Sequence, residues 1–76
     1  MSDEAEIIAT QYSESSARRL LDEIVSTGGY QAVDLVNGFT IYQRNKDGAI
    51  DEITIEKIGE RKFTVTKRRR ELLKKK

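Results

Sequence analysis

The chain has 76 residues, 37% of them hydrophobic and 36% charged, with no Cys, His, Pro or Trp and a formal net charge of +1. A single domain of this size buries only about 60% of the surface its unfolded chain exposes, which leaves no room for a large catalytic cleft. Without Cys or His there is no disulfide, no thiolate nucleophile, no Cys-type zinc site and no imidazole base, so neither an enzyme nor a cofactor or metal protein is expected.

The same composition suits a soluble, intracellular protein. No apolar run approaches the roughly 18 residues of a membrane helix. The N-terminus lacks the basic stretch and apolar core of a signal peptide.

Residues 5–12 are open to two readings. Ser2, Asp3, Glu4 and Glu6 resemble a capped helix start, with acids in the first turn, whereas Ile7-Ile8-Ala9-Thr10 suits a strand equally well. At 100° per residue, Ala5, Ile8, Ala9 and Tyr12 point about 140° away from Ala17, Leu20, Leu21, Ile24 and Val25, so one helix cannot serve both sets. A break is therefore expected at residues 13–16, with Ser13 or Ser15 as a cap. An amphipathic helix follows over about 14–26 and stops at Gly28-Gly29. Arg18 with Asp22 and Arg19 with Glu23 have the spacing of ion pairs along a helix.

Beyond the glycines the apolar period becomes two. Four strands are expected over 30–36, 39–44, 50–57 and 61–68, forming an antiparallel meander. The alternation assigns Val33, Leu35, Phe39, Ile41, Ile53, Ile55, Phe63 and Val65 to the face under the helix. Pairing Leu35 with Phe39 requires a three-residue first turn, 36–38, with Gly38 left-handed; the later loops then span 45–49 and 58–60. The outer face follows as rows: Ala32, Tyr42, Glu52 and Thr66; Asp34, Thr40, Thr54 and Thr64; Glu56 opposite Lys62; Arg44 near Ile50 and Arg68. A weak echo between residues 39–44 and 63–68 sets Arg44 and Arg68 at one end of the sheet.

The expected fold is thus α+β: a short N-terminal segment and one amphipathic helix packed on a four-stranded antiparallel meander sheet. Residues 1–66 form the domain, and residues 67–76 are a basic C-terminal tail that Leu72 and Leu73 can dock.

Charge is distributed unevenly. Residues 1–26 carry Asp3, Glu4, Glu6, Glu14, Asp22 and Glu23 against Arg18 and Arg19, whereas Lys67, Arg68, Arg69, Arg70, Lys74, Lys75 and Lys76 face only Glu71. Such a run neutralises phosphates and releases their counterions, so these seven residues with Arg44 are the candidate nucleic-acid or nucleoprotein contacts of a non-catalytic binding module. The run gives attraction without base specificity. Tyr42, flanked by Arg44, Lys62 and Arg68, offers one stacking platform, but a lone aromatic among Asp34, Glu52 and Glu56 makes a poor one.

The alternative is a small protein-binding regulator or inhibitor, of the kind viruses and mobile elements encode, docking on a larger partner through a sheet edge or an acidic helical face. The edge favoured is residues 30–36, less guarded by charge than 61–68, and it also admits a homodimer. Asp47, Asp51 and Glu52 lack the ligand spacing of a calcium loop. Gly28-Gly29 follows a helix, where phosphate loops precede one. Ser13, Ser15 and Ser16 have no activating partner.

Overall fold

A computed structural model describes residues 4–71. They run as strand β1 (Glu4–Gln11), helix α1 (Glu14–Gly28), then strands β2 (Gln31–Val36), β3 (Phe39–Lys46), β4 (Ala49–Gly59) and β5 (Lys62–Glu71). All five strands join one antiparallel sheet in the order β1-β5-β4-β3-β2. The α+β class, the single helix and the antiparallel meander are as expected, but the sheet has five strands. The N-terminal segment supplies the fifth, pairing with β5 from Glu4↔Arg69 to Gln11↔Phe63. β5 is therefore an interior strand, and the edges are β1 and β2.

The expected break is found, but at Tyr12-Ser13, with residues 14–16 already in the helix. Ser13 has extended backbone and its hydroxyl accepts from the Ser16 amide, capping α1, while Gly29, left-handed, ends it. Arg18 pairs with Glu14 at 2.7 Å rather than with Asp22, and it donates to the Gly38 carbonyl while lying 4.9 Å from the centre of the Phe39 ring. The partner on its N-terminal side leaves the guanidinium reaching over the end of β3.

Helix α1 lies over β5, β4 and β1. Ala17 and Leu21 meet Tyr30, Phe39, Ile53, Ile55, Phe63 and Val65 in the core, with Leu20, Ile24, Val25 and Tyr42 packed around it. Phe39 and Phe63 touch edge to face, 6.2 Å between centroids. Three members of the expected inward set fail: Val33 and Leu35 are exposed, and Ile41, next to the inward Tyr42, does not join the core. A helix about 10 Å wide covers roughly two strands spaced 4.8 Å apart, and β2 lies outside that cover.

The turns explain the other departures. Asn37 (φ 55°) and Gly38 (φ 81°) form a two-residue turn with Val36 opposite Phe39, replacing the expected 36–38 loop. Asp47-Gly48 does the same in place of 45–49, joining Lys46 to Ala49. The last reversal is at Glu60-Arg61, between Gly59 and Lys62, with a register shift at Ile58.

The second turn moves β3 by one residue against β4, so Tyr42 lies opposite Ile53 and packs on the core instead of facing out beside Glu52. Between β4 and β5 the displacement is two residues, Thr54 opposite Thr66 and Glu56 opposite Thr64, which leaves the faces unchanged. A register shift between Ala32 and Asp34 lets β2 keep Ala32 opposite Tyr42.

The basic run is half strand: β5 continues through Lys67–Glu71. Leu72, Leu73 and Lys74–Lys76 lie outside the described residues.

Candidate functional site

Fifteen helical residues span about 22 Å, while the ten residues of β5 span about 34 Å, so the strands overhang α1. Because α1 begins near Phe63, the overhang is at its C-terminal end, where Gly28 meets β3. Asp51 sits there at an inward position of β4, in phase with Ile53 and Ile55, with only 1% of its surface exposed. A lone buried carboxylate is costly, and two arginines resolve it. Arg44 Nε donates to one oxygen at 3.2 Å and Arg69 Nη1 to the other at 3.1 Å.

Arg44 also ties in the helix. Its Nη1 donates to the Gly28 carbonyl at 2.7 Å, supplying a cation to the negative end of the helix dipole, and its guanidinium lies 4.5 Å from the Tyr30 ring centre. Gly28 permits this approach. A Cβ there would come within 2.7 Å of the Tyr30 ring and 3.1 Å of Arg44 Nη1. Burial lifts the Tyr30 phenol above its ordinary pKa; Arg44 opposes the shift and Asp51 adds to it.

The candidate nucleic-acid residues consequently divide. Arg44 and Arg69 are committed to Asp51. Arg68, on the uncovered face, pairs with Glu56 at 3.2 Å, and Glu56 also accepts from Thr66, so its partner is Arg68 and not Lys62. Lys67 is half-buried opposite Ile53, and Arg70 is exposed opposite Ile50. Lys74, Lys75 and Lys76 lie outside the described residues. Arg44 and Arg68 do share an end of the sheet, in adjacent rows on opposite faces. With Tyr42 turned inward, the Tyr42 stacking platform is not formed.

The overhang is rich in cations. Acids answer part of its charge: Asp51 takes Arg44 and Arg69, Glu56 takes Arg68, and Glu52 accepts from Gln43. Among the described residues no His, Cys, Asp or Glu cluster is arranged to hold a metal ion. None of the described helices is long and apolar enough to cross a membrane.

A second feature lies on the β2 side. All of β2 is exposed, including Val33 (52%), Leu35 (65%) and Val36 (47%). Next to it is a groove of about 560 Å³ lined by Gly28, Gly29, Gln31, Val33 and residues Gln43–Lys46. It exists because β2 stops at Gln31, opposite Gln43, while β3 runs on to Lys46. Sequence reasoning missed both Asp51 and this notch. Asp51 was legible in the period-two pattern it shares with Ile53 and Ile55; the notch depends on the relative lengths of two strands, for which no residue signal exists. The chain matches no family model, no curated protein and no solved structure.

Proposed function

We propose that the chain is a non-catalytic binding module that docks on a protein partner along the β2 side of its sheet. One observation carries this: three aliphatic side chains, Val33, Leu35 and Val36, stand together on an edge strand outside the cover of the helix. Clustered exposed apolar residues on an unpaired edge are a recognised basis for protein association. The opposite edge strand, β1, also exposes Ile7 and Ile8, but the exposed charge of Glu6 stands beside them.

Nucleic-acid binding through residues 67–76 is the competing reading. Its support is the run of four cations in β5, but two of the four are already engaged by carboxylates, Arg69 by Asp51 and Arg68 by Glu56. Affinity capture from the native host, with and without nuclease, separates the two. Docking along β2 predicts a partner that survives nuclease and removal of residues 72–76 and is lost with Val33→Lys combined with Leu35→Lys. Loss on nuclease treatment, with retention by the double lysine variant, would establish the competing reading instead.

A further inference from the structure

We infer that the notch beside β3 is a site for an acidic segment of a partner polypeptide, bound in extended conformation as a short additional strand; this rests on the protein-docking reading and locates its main-chain component. The backbone of Arg44–Lys46 has a strand neighbour on the β4 side only, because the β2–β3 ladder ends at Gln31↔Gln43. In a two-residue hairpin Lys46 and Ala49 exchange both backbone hydrogen bonds. Alternation along β3 then turns the N–H and C=O of Lys46, Arg44 and Tyr42 toward β4 and those of Asn45 and Gln43 toward the β2 side. Gln43 meets Gln31 there. Asn45 has no strand opposite, so its amide and carbonyl are open to an incoming strand.

The rest of this edge is interrupted for such addition. Leu35 and Ala32 are the residues of β2 whose amides alternation points outward, and the Asp34 carboxylate accepts the Leu35 amide at 2.7 Å. The shift at Val33 further disrupts the line of donors. The notch is thereby the stretch of this side where a strand meets uninterrupted backbone, with Val33 as an apolar flank.

Charge selects the occupant. The lining carries Arg44 and Lys46 and no carboxylate. Asp51, the acid nearest in register, is shared between two arginines, so the cluster of Arg44, Asp51 and Arg69 retains one positive charge, to which Lys46 adds. Arg44 and Lys46 occupy alternate positions of β3 and so project to the same face. An incoming strand that sets acids on that face and β-branched residues on the other satisfies both the exposed Asn45 backbone and the two cations.

The probe is the blocked peptide Ac-Glu-Val-Glu-Val-Glu-NH2, with Ac-Lys-Val-Lys-Val-Lys-NH2 as its counterpart, titrated into the full ¹⁵N-labelled chain. Amide shifts centred on Gln43–Lys46 are expected with the acidic peptide only, with slowed exchange of the Asn45 amide. Lys46→Glu, an exposed substitution that spares the Asp51 cluster, should weaken binding at least fivefold and leave the remaining spectrum in place. Shifts confined to β1 or to Leu35–Val36, equal binding of the lysine peptide, or no shift at millimolar peptide would each overturn the site. Those outcomes leave the capture experiment above as the separate measure of protein docking.

Discussion

Phe63 and Thr64 are neighbours in β5 and both buried, yet they stand on different faces. Phe63 meets Phe39 under the helix, whereas Thr64 lies on the face no helix covers, beside Thr66 and Glu56. Phe63→Ala should cost about 3–5 kcal/mol, because the cavity it leaves is enclosed. Thr64→Ala should cost less than half as much in the same urea titration; a reversed order would mean that the two faces have been exchanged.

Gly28 offers a test of opposite sign to ordinary expectation. Ala for Gly within a helix commonly stabilises by about 1 kcal/mol. Here the added methyl meets Tyr30 and Arg44, so Gly28→Ala should lower the unfolding midpoint.

Tyr30 carries a pH signature. Its folded pKa is raised above the unfolded value near 10, so the neutral phenol contributes stability that is complete below pH 10 and is lost as pH rises through the folded value. The stability difference between the native chain and Tyr30→Phe, measured from pH 8 to 11, should therefore change only above pH 10. Lysine titration is common to both proteins and cancels. A difference independent of pH would place the phenol in water.

At the level of elements, β2 has a conflict to manage. It is an edge strand with three exposed aliphatic side chains, a template for pairing between copies. Asp34 answers it by engaging the Leu35 amide and by placing a charge on the edge. Asp34→Ala should promote concentration-dependent self-association, seen as a rising mass in light scattering. Asp34→Asn keeps an oxygen acceptor for the Leu35 amide and should remain closer to the native state. If both variants stay monomeric at high concentration, the carboxylate has no such guarding role. The turns act at the same scale, because Asn37-Gly38 and Asp47-Gly48 set which residues of β2, β3 and β4 stand opposite one another and hence which side of the sheet Tyr42 occupies.

At the scale of the whole molecule, the described residues measure 44 × 23 × 19 Å, a length set by strands that outrun the helix. The Asp51 cluster binds three otherwise separate parts at that end: the helix terminus through Gly28, the β3–β4 hairpin through Arg44, and the end of β5 through Arg69. Asp51→Ala should cost about 3 kcal/mol, at the lower end for a broken buried pair because both arginines retain some contact with water. Hydrogen exchange should show the loss in the overhang and in the last turn of α1 together. For the same reason, deletion of residues 67–76 is not a clean test of the basic run, since it removes the half of β5 on which β1 and β4 pair. Removal of residues 72–76 leaves the described sheet intact.

Helix α1, its Ser13 cap, its glycine stop and the inward phase of Ile53, Ile55, Phe63 and Val65 were all legible in the sequence. They are local: a cap, a terminator and a two- or 3.6-residue period are written in adjacent residues. The chain's own letters also fixed its exclusions, because chemistry that needs Cys or His cannot be recovered by folding. Residues 5–12 carried no such decision; their pairing with β5 satisfies backbone groups that a solitary segment would leave to water. Likewise, the burial of Asp51, the engagement of Arg44 and Arg69, the exposure of Val33 and Leu35, and the notch beside β3 were decided only in three dimensions. Each depends on the register between strands and on how far one helix reaches across a sheet, distances that join residues far apart in the chain.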